Sequence, residues 1–413
     1  MFYRETELQD SSLGKIPREW DVRELGDKTL TDIVAGQSPP SSTYNKKRLG
    51  LPFLQGKMEF GEMFPSPTTY CSEPIKVAEK NDILLSVRAP VGDVNIAPFE
   101  CCIGRGLAAI RAKADKLDHL FLFYYLGREG RRFEALSTGS TFKAIRIHEI
   151  EKFSIPVPSV EEQRTVVGVL GIVDLAVAKT GEVIAKTERL KKGLMQELLT
   201  RGIGHKEHKQ TPIGKVPASW DVVKIEDVAE TSSGGTPNRS KKEYYDGSIP
   251  WAKSGELKDN TIYDTEEKIT ENGLKNSSAK LFPHGTLLVA MYGATVGKTG
   301  ILGIDATTNQ AICAILPKNN TLNLTFLQYY IIFARSHWIS QSSGGAQPNI
   351  SQEIIRTSRI PLPQFEEQQK IAEILSTLDK KLALERNEKA RLERTKQGLM
   401  DLLLTGKVRV KED

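Results

Sequence analysis

The chain has 413 residues, of which 39% are hydrophobic and 26% are charged, and its formal net charge is +5. This composition is typical of a folded, soluble protein with two or three domains. The longest apolar run, residues 166–178, is 13 residues long and contains Asp174, whereas a membrane span needs about 20 apolar residues. We therefore expect no membrane contact, and the mild positive charge permits an acidic partner such as nucleic acid without requiring one.

The N-terminus and the cysteines bear on the compartment. The first residues (MFYRETE) lack the apolar stretch of a signal peptide. The four cysteines, at positions 71, 101, 102 and 313, show no CxxC spacing. So few cysteines in a chain of this length favour a reduced, cytoplasmic protein over one held together by disulfides.

An internal duplication dominates the sequence. Residues 14–22 (GKIPREWDV) recur 200 positions later as residues 214–222 (GKVPASWDV). Further along, the offset is 205, and it holds for the pairs IPVP 155–158 and IPLP 360–363, EEQ 161–163 and 366–368, and GLM 193–195 and 398–400. The net difference of five residues arises between positions 22 and 92 of the first copy, where the copies are least alike. This pattern favours one architecture with two specificities over neutral drift in surface loops.

Each copy ends in a predicted long helix. The first begins with a capping box at Ser159 and Glu162 and ends near Gly202. Its apolar seam falls at Val166, Leu170, Val173, Val177 and Ile184, in alternating steps of four and three apart from a polar Thr180, and continues roughly through Leu190, Leu194 and Leu198.

The second helix repeats this pattern and ends at Gly406. Its seam residues are Ile371, Leu375, Leu378 and Leu382, with Glu385 and Lys389 weakening the middle. Each helix is about 40 residues and hence about 60 Å long. We expect the two helices to pack against each other as an antiparallel coiled coil. The alternative, that each stripe binds another protein, is compatible with this packing.

The predicted fold class is α+β, with two mixed α/β modules at 1–154 and 206–359 joined by long helical segments at 155–205 and 360–413 as a pseudo-twofold repeat. Within the modules we expect helices at 117–126 and 324–334 and strands at 82–87, 286–291 and 311–316. The segment after the second helix, residues 404–410, resembles the way in which the first helix runs on toward the second module. By the symmetry of the repeat, the end of the chain should therefore lie near its beginning.

Several patterns suggest enzymatic chemistry, but each is incomplete. Residues 293–299 (GATVGKT) resemble a phosphate-binding loop, although Tyr292 occupies the position of its first glycine. Residues 38–41 (SPPS) lack the aromatic residue of an amino-methyltransferase motif. A nuclease-like set, Asp246 with Glu256 and Lys258, is absent from the first copy, and the six histidines show no metal-ligand spacing. We therefore predict a non-catalytic chain with no metal and no cofactor of its own.

Two basic glycine- and proline-containing stretches are candidates for binding double-stranded DNA. Lysine and arginine neutralise phosphates, and polar side chains read base edges. The candidates are Lys46, Lys47, Arg48 and Lys57 after residues 36–40 (GQSPP), and Arg239, Lys241, Lys242, Tyr244 and Lys253 around residues 234–238 (GGTPN). An ordinary solvated loop remains the alternative for either stretch.

A second pair of loops recurs at residues 137–143 and 342–349. Small residues around a glycine let the backbone approach a ligand closely. Cationic side chains suit phosphate contacts, and glutamine and asparagine pair well with adenine. The candidates here are Arg88, Lys143 and Arg146 in the first copy and Tyr292, Gln347 and Asn349 in the second.

The repeated signatures GK(I/V)PxxWDV, IPxPxxEEQ and GLMxxLLT resemble those of the DNA specificity subunit of type I restriction–modification systems over essentially the full length. The resemblance implies two target-recognition domains, each reading half of a bipartite asymmetric site, with the helices setting the spacer. It also implies a non-catalytic subunit that recruits two modification subunits, which use S-adenosylmethionine, and restriction subunits, which use ATP and magnesium. Base-contacting residues vary too much in the family to be carried over.

Two other functions remain open at this stage. One is a methyltransferase or nuclease fused to recognition modules, which the missing cofactor and metal motifs disfavour. The other is a coiled-coil scaffold that binds only proteins.

Overall fold

The computed structural model of the chain describes residues 2–138, 143–340 and 349–410. It consists of two compact units. Unit 1 comprises residues 1–181 and 387–413, and unit 2 comprises residues 182–386. Each unit therefore contains one globular part and a portion of both long helices.

Unit 1 contains two main sheets. The first is antiparallel, with strand order Val94–Ile96, Ile83–Ser86, Leu107–Ala112, Thr31–Ala35. The second has the order Tyr44–Asn45, Thr69–Cys71, Leu51–Leu54, Cys101–Ile103, Val77–Ala78, and its third and fourth strands are parallel. Strand pairs join Ser154–Val157 to Asp21–Glu24 and Leu8–Ser11 to Gly14–Pro17. The short helices are His119–Arg128, Gly130–Leu136 and Ile147–Glu151.

Unit 2 repeats this plan. One sheet has the order Ala229–Ser233, Ile312–Pro317, Leu287–Ala290, Thr299–Leu302, Asn260–Ile262. The other has the order Glu267–Ile269, Tyr245–Ala252, Ala306–Thr308, Leu281–Phe282. Strand pairs join Asp221–Lys224 to Arg359–Leu362 and His208–Thr211 to Gly214–Pro217. The short helices are Ile225–Val228, Glu271–Lys275, Leu324–Ser340 and Gln352–Thr357. The mixed α and β content and the predicted strands and helices within the modules are confirmed.

The central helix spans Val160–Arg201 and the C-terminal helix spans Phe365–Leu403. In unit 1, Val166 and Leu170 of the central helix share a core with Met400 and Leu403 of the C-terminal helix. Residues near the start of the central helix thus meet residues near the end of the C-terminal helix, so the helices pack antiparallel there. Unit 2 shows the converse arrangement, with Met195, Leu198 and Leu199 in one core with Ile371 and Leu375.

The seam follows the predicted spacing with one error. Val166, Leu170, Val177, Ile371, Leu375 and Leu382 are buried, and Val173, Ile184 and Leu378 are half-buried. Leu190, expected in the seam, is 53% exposed, whereas Thr187 is 6% exposed. The alternation of four and three continues from Ile184 to Thr187 and Lys191, so a polar pair occupies the positions where an apolar residue was expected.

The expected proximity of the chain's two ends is confirmed within unit 1. Phe2–Arg4 pairs antiparallel with Val408–Val410, in register from Phe2 opposite Val410 to Arg4 opposite Val408. The C-terminal helix ends at Leu403, and Gly406, with φ +67°, lies in the turn that follows it, in the left-handed conformation that favours glycine.

Candidate nucleic-acid interface

The glycine–proline loop of unit 1 is held against the sheets by its backbone. Gly36 N–H donates to Leu107 O (2.9 Å), and a Cβ at Gly36 would lie 2.2 Å from Gly104 O, so only glycine fits. The Tyr44 hydroxyl donates to Pro39 O (2.9 Å). Its ring packs on Phe53, with centroids 4.6 Å apart. The loop is therefore fixed at both ends.

Unit 2 builds the same loop on an equivalent glycine, proline and tyrosine. A Cβ at Gly234 would lie 2.2 Å from Thr308 O, and the Tyr245 hydroxyl donates to Pro237 O (2.5 Å). Trp251 replaces the phenylalanine, and its indole N–H donates to Gly235 O (3.0 Å). The framework of the loop is thus repeated while its side chains change.

The predicted cations of unit 1 fall into two groups. Lys46, Lys47 and Arg48 are exposed on the turn that follows Tyr44–Asn45, and within the described ranges none has a carboxylate partner. Lys57 lies elsewhere and pairs with Asp93 at 2.6 Å. The turn residues are the group available to an external anion.

Most predicted cations of unit 2 already have partners. Arg239 pairs with Glu267 (2.6 Å) and lies over the ring of Tyr245, 4.6 Å from its centroid. Lys253 is 2.9 Å from Glu266 and 3.0 Å from Glu267. The side-chain hydrogen bond from Arg239 lowers the pKa of Glu267, against the opposing effect of burial. These cations are largely neutralised within the unit.

The remaining loop candidates of unit 2 differ in exposure. Lys242 is exposed, and Lys241 donates to the hydroxyl of Tyr244 (3.0 Å). Tyr244 itself is only 5% exposed. Its ring therefore supports the loop and does not face solvent.

In each unit, described residues at the ends of the second recurring loop lie beside the turn that follows an apolar strand. In unit 1, Ala89 N–H donates to Lys143 O (3.1 Å), and Arg88 bridges to Ala144. Arg88, Lys143 and Arg146 are exposed, and Lys143 pairs with Glu134 at 3.2 Å. These three candidates are brought together at one edge.

Unit 2 repeats the arrangement with a bridge between Tyr292 and Asn349, and both side chains are exposed. Gln347 lies outside the described residues. The turn that resembles a phosphate-binding loop is next to this bridge. Its Lys298 is bound to Asp259 (3.1 Å), which also accepts from the N–H of Thr299 (3.0 Å). Lys298 therefore has a structural partner.

Sequence reasoning missed two exposed residues beside the glycine–proline loops. Arg105 N–H donates to Ser38 Oγ (3.2 Å), and Thr236 Oγ1 donates to Gln310 Oε1. Arg105 and Gln310 each lie about 70 residues along the chain from the glycine–proline loop that they contact. The only available signal was the equivalence of residues 104–106 (GRG) and 309–311 (NQA), which becomes apparent once the strands have been aligned.

The EEQ motif at the start of each long helix binds the globular part of its own unit. Glu162 Oε2 accepts from the indole N–H of Trp20 (3.0 Å), and Glu367 Oε2 accepts in the same way from Trp220 (3.0 Å). Glu162 also binds Arg409 at 2.9 and 3.0 Å.

The glutamine of the motif forms hydrogen bonds with backbone groups of its own unit. Gln163 accepts from Asp118 N–H (2.7 Å), and Gln368 accepts from Asn323 N–H (2.8 Å). The EEQ signature is therefore a structural junction in both units.

A second repeated junction crosses the helix pair. The Tyr124 hydroxyl donates to Asp174 (2.6 Å), which is 2.5 Å from Lys396 Nζ. In unit 2, Tyr329 donates to Asp379 (2.7 Å), which is 2.5 Å from Lys191 Nζ. Burial, with the hydrogen bond to the aspartate, raises the pKa of both tyrosines. The cluster joins three segments of chain in each unit.

The described residues hold no group of three or more histidine, cysteine, aspartate or glutamate side chains that could bind a metal ion. All four cysteines are free and buried, and burial raises the pKa of Cys313 to about 12. Within the described part of the chain, no helix combines the length and apolarity that a membrane crossing requires.

Together these features define a duplicated two-module protein, in which a repeated loop framework with exposed polar side chains is attached to paired long helices. The sequence pattern of the type I restriction modification DNA specificity domain matches residues 17–189 and 217–394. The chain therefore belongs to the family of type I restriction–modification specificity subunits, and it contains two DNA specificity domains.

Individual relatives agree. The chain is 26% identical over 420 residues to the type I restriction enzyme MjaVIII specificity subunit of Methanocaldococcus jannaschii, covering 99% of this chain and 98% of that protein. It is 47% identical over 193 residues to a protein from the same organism named as a proposed MjaX specificity subunit, but this match covers only 47% of this chain and 45% of the relative.

The fold matches the crystal structure of a type I restriction–modification S subunit from M. genitalium with a TM-score of 0.60. The match has 17% identity and covers 95% of this chain and 97% of that one. The predicted fold class is thus confirmed.

Proposed function

We propose that the chain reads a bipartite, asymmetric DNA site, with modules 1–154 and 206–359 each recognising one half. The observation that carries this proposal is the repetition of one loop framework with different side chains in the two units. A repeated framework presents loops in the same way twice, whereas different side chains give each copy its own base preference.

Charge supports a phosphate-contacting role for the loops. Lys46, Lys47 and Arg48 have no acidic partner within the described ranges, so they can release counterions from DNA at no internal electrostatic cost. Arg88 and Arg146 extend this role to the second loop of unit 1. In unit 2, Lys242, Tyr292 and Asn349 are the exposed candidates whose side chains have no partner within the described residues, and Tyr244 is excluded because it is buried.

We further propose that segments 155–205 and 360–413 set the spacer between the half-sites. A helix of about 40 residues is about 60 Å long, which exceeds one DNA turn of about 34 Å. The Tyr–Asp–Lys clusters support this role because they fix each helix to a module and to the other helix.

The partners that fit this role are two modification subunits and the restriction subunits of a type I system, working in the cytoplasm. The chain itself binds no cofactor and catalyses no reaction in this proposal. Ile172 and Leu175 of the central helix are 71% and 56% exposed, and they provide apolar surface for such a partner.

Footprinting of the complex with its modification subunits tests DNA reading. We expect protection of two short segments separated by an unprotected gap, with contacts made by this chain. Contacts made only by the partner subunits would favour the protein-binding scaffold. Turnover of DNA by the chain alone, with S-adenosylmethionine or magnesium, would show that it is an enzyme.

A further inference from the structure

The same turn connects two strands in each unit and presents one exposed side chain. In unit 1 the turn is anchored by Gly104 N–H donating to Leu54 O (2.8 Å) and by Leu107 N–H donating to Gly104 O (3.0 Å). In unit 2 Asn309 N–H donates to Ala252 O (3.0 Å), and Ile312 N–H donates to Asn309 O (3.2 Å). The second residue of this turn is Arg105 in unit 1 and Gln310 in unit 2.

Both turns lie against the glycine–proline loop of their unit. Ser38 Oγ accepts from Arg105 N–H (3.2 Å), and Gln310 Oε1 accepts from Thr236 Oγ1. Ser38 and Thr236 hold the same place in their loops. Each comes two residues after the glycine, Gly36 or Gly234, at which there is no space for a Cβ atom. Arg105 and Gln310 are therefore structurally equivalent, although their side chains differ in chemistry.

The turn of unit 1 packs closely on the chain beside it. A Cβ at Gly106 would lie 2.5 Å from Gln55 O, which shows how closely the turn packs on the neighbouring strand. Arg105 and Gln310 are nevertheless exposed. An exposed polar side chain on a rigid element is the arrangement that precise recognition requires.

The hydrogen-bonding capacity of both side chains is largely unused. Within the described ranges no carboxylate pairs with the Arg105 guanidinium, which contrasts with Arg239 and Lys253 of unit 2. Gln310 uses one lone pair of its amide oxygen for Thr236 and keeps its NH₂ group and a second lone pair. Arginine pairs bidentately with guanine O6 and N7, and glutamine pairs with adenine N6 and N7.

We propose that Arg105 and Gln310 are equivalent base-reading residues, Arg105 recognising a guanine in one half-site and Gln310 an adenine in the other. This inference rests on the proposed function, and it assigns one base pair per half-site to a named side chain.

The test uses the full chain in complex with its modification subunits and a pool of randomised DNA duplexes. Selection with the wild-type complex first defines the site. Arg105→Ala should then reduce discrimination at one guanine of one half-site by about 5- to 150-fold and leave the other half-site unchanged. Arg105→Gln should shift the preference at that position from guanine towards adenine. Gln310→Ala should relax one adenine in the opposite half-site.

Arg18→Ala is the matched control because it removes one exposed positive charge from unit 1, on the turn before Asp21–Glu24, and should change no base preference. Circular dichroism of each variant confirms folding.

The contrary outcomes separate the two proposals. If the wild-type complex selects no sequence, DNA reading itself is refuted. If it selects a two-part site and Arg105→Ala changes no base preference, only the base-reading inference fails. In a third contrary outcome, Arg105→Ala weakens DNA binding equally for all sequences and lowers the salt dependence of binding by the amount expected for about one phosphate contact. That result would also overturn the inference, because it would show that Arg105 contacts the DNA backbone.

Discussion

The Tyr124–Asp174–Lys396 cluster should contribute measurably to the stability of unit 1. Asp174 and Lys396 are 22% and 28% exposed, so the pair is neither fully solvated nor fully buried. Asp174→Ala leaves the Tyr124 hydroxyl and the ammonium group without their acceptor. Exposed ion pairs contribute about 0–1 kcal/mol, and hydrogen bonds to charged groups contribute about 1.5–3 kcal/mol. We therefore expect the free energy of unfolding to fall by about 2 kcal/mol.

Differential scanning calorimetry measures this loss. For a unit of about 200 residues, about 2 kcal/mol corresponds to a decrease in Tm of about 4–8 °C. Asp379→Ala should produce a smaller decrease in unit 2, since the same two contacts are repeated there but Asp379 is 42% exposed.

Asp401→Ala is the matched control, because Asp401 lies on a long helix and pairs with Arg128 (2.9 Å) but is 52% exposed. It should cost less than about 1 kcal/mol. Both substitutions gain helix propensity, and removal of Asp401 from the last turn of its helix also relieves an unfavourable interaction with the helix dipole, which reduces the net loss further. Equal decreases for Asp174→Ala and Asp401→Ala would refute the stabilising role of the cluster.

Three further predictions concern the ends, the acid stability and the length of the structure. Arg409→Met should destabilise unit 1 by about 2–4 kcal/mol because it leaves the buried Glu162 carboxylate without its cation. Arg409→Lys should lose less stability, since lysine keeps the positive charge, and urea unfolding measures both variants. Burial would raise the pKa of Asp259, but the Thr299 N–H, Arg335 and Lys298 lower that pKa overall. The ionised Asp259 carboxylate therefore stabilises the fold at neutral pH, and this stabilisation is lost as the pH falls below about 4. Asp259→Asn should therefore lower stability at pH 7 more than at pH 3, and an equal loss at both would contradict this. Inserting one heptad at equivalent points of both long helices should lengthen the spacer and preserve both half-sites. Altered half-sites with an unaltered spacer would contradict the proposal that the helices set the spacer.

The repeat and the helix seams could be predicted because they depend on local spacing. The alternation from Val166 to Ile184 predicted burial correctly, since a heptad pattern needs only the sequence of one helix. Leu190 was misplaced because hydrophobicity was followed in preference to strict spacing. The residues in register there, Thr187 and Lys191, are polar, and the ion pair that makes a seam lysine acceptable involves Asp379, 188 residues away.

The loop region could be located but not resolved into individual contacts. Charge and glycine–proline content identified the stretches near Lys46 and Arg239 correctly as exposed loops. They gave no information on Glu267, which neutralises Arg239, or on Arg105, which the strand Cys101–Ile103 brings to the loop from elsewhere. Such relations depend on strand order, which a single sequence does not specify.

Exchange of one module tests the central claim most directly. Residues 1–154 are replaced by the equivalent module of another specificity subunit, and methylated adenines are mapped in cells that express the chimera with the modification subunits. We predict a gapped, two-part motif in which one half-site changes while the other half-site and the spacer stay the same. A change in both half-sites, or no change in either, would contradict the claim that each module reads one half of the DNA site.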